Sequence, residues 1–147
     1  MNDKIVSALS RAFFDTQMVT ARLVLALSEF LWALLLLWPG DTFGRPTYHY
    51  MASVMPEVCW GFTFLFTGFV QMAIIVGENF HSPLARYFAA YNALLWVFVV
   101  GSMLLSVYPP PAAISAEIVM ACAATWIWFR PILLCKWIIH ARRTVQM

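Results

Sequence analysis

Charge is what this sequence has least of: 11% of its 147 residues are Asp, Glu, Lys or Arg, against about 25% in a typical soluble domain. The chain lacks the polar surface that would coat a globule in water. Cysteine is scarce too. Cys59, Cys122 and Cys135 stand far apart, form no CxxC pair and join no Cys/His cluster. They read as small apolar residues on helices, not as a disulfide framework. His49, His81 and His140 show no i,i+4 pairing, so neither a metal nor a haem site is expected. A glycine-rich phosphate loop, a nucleophile elbow and an HExxH motif are all missing. We therefore expect no enzyme, no catalytic residue and no cofactor. Sequence-specific nucleic-acid binding is not expected either, because the basic residues flank apolar runs.

What the chain has in abundance is apolar and aromatic surface, 63% and 16% of residues. It is arranged in four runs, at about 18–38, 58–76, 84–107 and 112–129. The first, Met18–Trp38, would rise about 31 Å as a helix, enough to cross a ~30 Å hydrocarbon core. In hydrocarbon every backbone N–H and C=O must be paired within the protein, so only helices or closed barrels can span. The runs show no period-2 alternation, which argues against barrel strands. The expectation is an all-α integral membrane protein with four transmembrane helices and amphipathic terminal helices. The first run ends in Leu37-Trp38-Pro39-Gly40 with no small-residue cleavage site, so it is expected to stay as a span rather than leave as a signal peptide.

Three regions follow from this pattern: an amphipathic N-terminal segment 1–17, a four-helix domain 18–130 and a basic amphipathic tail 131–147. In the first, Ile5, Leu9, Ala12 and Phe13 share one helical face and Lys4, Ser7 and Arg11 another, as in a helix lying on a membrane surface. The connector from Pro39 to Glu57 is too apolar for a free loop. A short interfacial helix is expected there, with its tyrosines at headgroup level. Tyr108-Pro109-Pro110-Pro111 stops the third run, and Arg130-Pro131 predicts a kink or boundary after the fourth. In the tail, Lys136, Arg142 and Arg143 are candidate contacts to lipid headgroups.

Placement of the basic residues sets the orientation. Lys4, Arg11, Arg22, Arg86, Arg130, Lys136, Arg142 and Arg143 fall on one side of a four-span arrangement and Arg45 alone on the other. By the positive-inside rule both termini are expected on the cytoplasmic-type side.

Polar residues inside apolar runs are the candidate functional positions. Arg22 and Glu29 lie seven apart on the first span, about 10 Å apart in rise and too far for a direct bond. Arg22 is shallow enough to snorkel. Glu29 lies near mid-membrane, where a carboxylate must be protonated, paired or beside water. It reads either as a pore- or contact-lining group or as a buried group that fixes helix packing. Gln71 and Asn92 are expected to donate interhelical hydrogen bonds worth about 0.6–2 kcal/mol each. Glu117, near the outer end of the fourth span, reads as a headgroup-level residue. Gly61 and Gly68 share a face of the second span with Thr67 beside it, offering a surface for close helix approach.

The connector Trp38-Pro-Gly-Asp-Thr-Phe-Gly-Arg-Pro-Thr-Tyr48, followed by Met51, Pro56-Glu57 and Trp60-Gly61 and by a Tyr-Asn-Ala third span, resembles small four-span membrane proteins of short-tailed bacteriophages. Some of these travel in the virion and are ejected into the host envelope. The likeness covers about residues 15–130 and carries over no residue with a defined chemical role. It implies a virion protein that inserts in the host membrane, forms a homo-oligomer with membrane lipids and other ejection proteins as partners, and helps form a conduit for genome delivery. The alternatives are a holin-like lesion protein and a small channel, transporter or accessory subunit.

Overall fold

The computed structural model describes the backbone of residues 2–77, 82–108, 112 and 114–145, with side chains among these from 16 to 130. Five α-helices account for most of it, and the described residues contain no strand. The helices are α1 (Asn2–Leu37), α2 (His49–Val54), α3 (Glu57–Val76), α4 (Pro83–Ser106) and α5 (Ile114–Val145), with a 3-10 turn at Pro46–Tyr48 ahead of α2. Among the described residues, three segments, Thr16–Leu37, Glu57–Val76 and Pro83–Ser106, are long and apolar enough to cross a membrane.

Local sequence explains the helix ends. Proline and glycine at Pro39-Gly40 stop α1 one turn after Leu34, whose carbonyl accepts the last bond from Trp38 N–H. α3 starts behind Pro56 with Glu57 in its first turn, where a carboxylate suits the helix dipole. At α4, the Ser82 hydroxyl accepts from Ala85 N–H at 3.1 Å and Pro83 occupies the first position, which needs no donor.

Two expectations about boundaries change. Residues 2–17 are not set apart from the first span; α1 runs unbroken from Asn2 to Leu37. Pro131 does not end a helix either, since α5 continues through it to Val145. A proline removes one N–H donor, and a helix can keep its course if neighbouring groups absorb that loss. The side chains of segments 1–15 and 131–147, including Cys135, Lys136, Arg142 and Arg143, lie outside the described residues, as does His81.

α1 packs along α3, α4 packs along α5, and α1 also meets α5. The interior is filled by large side chains. Leu25, Met51, Phe64, Trp96 and Val99 are fully buried, and Leu36, Met103 and Ile127 almost so. Trp32 sits edge-on to Trp96 at 6.2 Å and tilted against Phe64 at 5.4 Å, tying α1, α3 and α4 together. The exterior is apolar as well: Leu31, Phe66, Leu94 and Leu105 are each more than 60% exposed. A shell of this kind suits a lipid surround and would aggregate in water.

The connector after α1 folds into a cap over the Leu37 end of the bundle. Glu57 accepts from Thr42 N–H and Phe43 N–H at 3.2 and 3.3 Å. Trp60 Nε1 donates to Met51 O at 3.0 Å, and α2 rests on α4. The expected short helix in this connector is thus α2.

Candidate functional site

Polar side chains form a ladder along α1, whose rungs reach in turn to α5, α3, α4 and again α5. At the first rung Arg130 Nη2 donates to Gln17 Oε1 at 3.1 Å, joining α5 to α1. At the second, Arg22 Nη1 donates to Gln71 Oε1 at 2.8 Å, joining α1 to α3. At the third, Asn92 Nδ2 donates to Glu29 Oε1, joining α4 to α1. Glu117 of α5 forms the last rung, beside Trp32 and Tyr48.

Burial makes these contacts matter. Arg22, Glu29, Gln71 and Asn92 are each no more than 1% exposed. A polar group in an apolar interior costs free energy unless it is bonded, and a charge costs more. The amides of Gln71 and Asn92 meet that need for one atom of each partner. Other atoms stay without a bond: Arg22 Nε, Glu29 Oε2, Asn92 Oδ1, Trp96 Nε1 and Glu117 Oε2. Trp96 and Thr67 stand beside the Glu29 carboxyl, so this rung gathers α1, α3 and α4 around one group. Thr67 spends its hydroxyl hydrogen on Phe64 O at 2.9 Å.

The structure places the expected site residues as follows. Arg22 does not snorkel outward; it turns inward onto Gln71, which serves as acceptor rather than donor. Arg22 and Glu29 do not bond each other, since one Glu29 oxygen takes Asn92 and the other has no partner. Glu29 faces another helix of its own chain. Glu117 is 9% exposed, turned under the cap. Its charge, after burial, helps push the Tyr48 phenol above its ordinary range, against a smaller opposite pull from Arg45.

Gly61 and Gly68 lie on the α1–α3 seam. A Cβ at Gly61 would stand 2.7 Å from the Leu37 side chain, and one at Gly68 would stand 3.1 Å from the Phe30 ring. The surface expected to allow close helix approach is therefore used within the chain, against α1. Sequence reasoning did not single out Trp32 or Trp96, whose rings frame the Glu29 rung. Trp96 follows Asn92 by one turn on the same face, which is the signal that could have found it.

Among the described residues, no three His, Cys, Asp or Glu side chains gather as a metal site would require. Cys59 and Cys122 are free and exposed. Comparison with protein-family models, curated proteins and solved structures finds no match to this chain.

Proposed function

We propose that the chain is a non-enzymatic integral membrane protein with four spans and both termini on one side, acting as a subunit of an assembly. The specific role is the one its resemblance implies: a virion-carried protein that enters a host envelope and helps wall a conduit for genome delivery. The observation that supports the subunit reading is the filled interior. Trp96, Phe64, Leu25 and Leu36 are buried within the bundle, and Arg22 and Glu29 bond to Gln71 and Asn92 of the same chain. A single bundle then offers no aqueous path, and a conduit has to lie between copies. The apolar exterior supports the membrane reading.

The test combines cross-linking in membranes with mass measurement in mild detergent, alongside a search for the protein in purified phage particles. Higher-order species and presence in the particle are expected. A strict monomer in both settings would overturn the assembly role. Absence from particles together with rapid lysis on expression would replace the ejection role with a holin-like one. Reporters at Ser53 and Thr144 are expected on opposite sides of the membrane; the same side for both would overturn the topology.

A further inference from the structure

The interior of the bundle is full, yet its surface is not evenly closed. Between α4 and α5 runs an open groove of about 400 Å³, lined by Val97 and Val100 on one side and by Ile118, Cys122, Trp126 and Phe129 on the other. Its walls stay uncovered: Val97 and Trp126 are each 53% exposed. Ala121 and Thr125 form its floor, and the Thr125 hydroxyl is already spent on Ala121 O at 2.7 Å. The lining is otherwise almost wholly apolar and carries no charged side chain.

The dimensions and one end of the groove identify an occupant. From Ile118 to Phe129 the helix rises about 16 Å, close to the ~15 Å that one leaflet contributes to a ~30 Å hydrocarbon core. α4 and α5 run antiparallel, so the Phe129 end of the groove lies toward the start of α4. There Arg86 is exposed. Val97 and Val100 follow Arg86 by 11 and 14 residues, which returns them to the same face of α4. Ala90, between them on that stripe, adds only a methyl group. Arg86 does not itself line the groove; it stands on the same face of α4, about three turns before Val97 and beyond the Phe129 end.

We propose that this groove holds one acyl chain of an anionic phospholipid whose phosphate rests on Arg86. The proposal rests on the membrane reading above. A guanidinium matches phosphate oxygens in pairs, while the apolar channel accepts the chain without stranding a polar group. The chemistry selects a negatively charged headgroup over a zwitterionic one. A basic residue near an anionic lipid surface is worth about 1 kcal/mol, equivalent to about fivefold in affinity.

Cys122 lies in the groove and reports its occupancy. The full chain carrying Cys59→Ala and Cys135→Ala, purified in mild detergent, is labelled with a thiol reagent while phosphatidylglycerol or phosphatidylcholine is titrated in. Phosphatidylglycerol is expected to slow labelling at about fivefold lower concentration than phosphatidylcholine. Arg86→Gln, a substitution at an exposed position, is expected to erase that difference and leave labelling without lipid unchanged. Equal protection by both lipids, or a difference that survives Arg86→Gln, would overturn the proposal. So would protection that grows with protein concentration and ignores lipid, which would assign the groove to a second copy. Native mass spectrometry counting retained lipids provides a readout independent of the thiol. Flotation with vesicles of either composition tests the membrane reading separately, since it needs only the apolar shell.

Discussion

The two helix pairs of this protein solve the same packing problem in opposite ways. The α1–α3 seam is closed: Gly61 and Gly68 let the backbones approach until Leu37 and Phe30 fill the space a side chain would take, and a buried guanidinium is bonded across it. The α4–α5 seam is open, lined by medium and large apolar groups that leave a groove. In lipid, apolar burial does little to drive helices together, so close van der Waals contact and hydrogen bonds between helices carry the association. The difference teaches that one pair supplies cohesion while the other can spare surface for something else.

The sharpest way to break the contrast is to strand the charge in the closed seam. Gln71→Leu leaves the Arg22 guanidinium without the amide that accepts from it. A loss of about 1.5–3 kcal/mol is expected, read by denaturant titration in mixed micelles. An unchanged midpoint would mean that the seam does not depend on this bond. Next in size is Gly61→Ala, which drives a Cβ to 2.7 Å from Leu37 and should cost about 1–3 kcal/mol as overpacking. The same method checks it, and neutrality would mean that Leu37 can swing aside. Smallest, and of opposite sign, is Gly101→Ala on α4. Nothing stands within 4 Å of a Cβ there, so a gain of about 0.5–1 kcal/mol from helix propensity is expected. Opposite signs for the two glycine-to-alanine changes would show that the cost at Gly61 comes from the closed seam and not from alanine itself. Destabilisation at Gly101 would show that something covers α4 in the assembled state.

Much of the fold was legible because its signals are local. Long apolar runs set the helices of α3 and α4 to within a residue or two. The continuity of α1 and α5 was not legible. A change in polarity at residue 17 and a proline at 131 both read as punctuation, whereas a backbone already helical on both sides can run through either. For the polar residues, type and position could be read but partners could not. Arg22 meets Gln71 across 49 residues of sequence and Glu29 meets Asn92 across 63. Such pairings depend on how whole helices are rotated about their axes. Glycine spacing on α3 likewise announced a close contact without saying whether its partner lay in the same chain or in another.

Those long separations have a consequence for the order of manufacture. When α1 first leaves the synthesising machinery, the residues that will satisfy Arg22 and Glu29 have not yet been made. A helix holding two unmet polar groups is a poor candidate for release into hydrocarbon by itself. Gln71 emerges with α3, and only then can the first two long helices settle as an antiparallel hairpin. Glu29 stays unmet until α4 brings Asn92. The bonds that look like static rungs in the finished bundle therefore act as a timetable, holding the early helices at the threshold until the later ones arrive to close them.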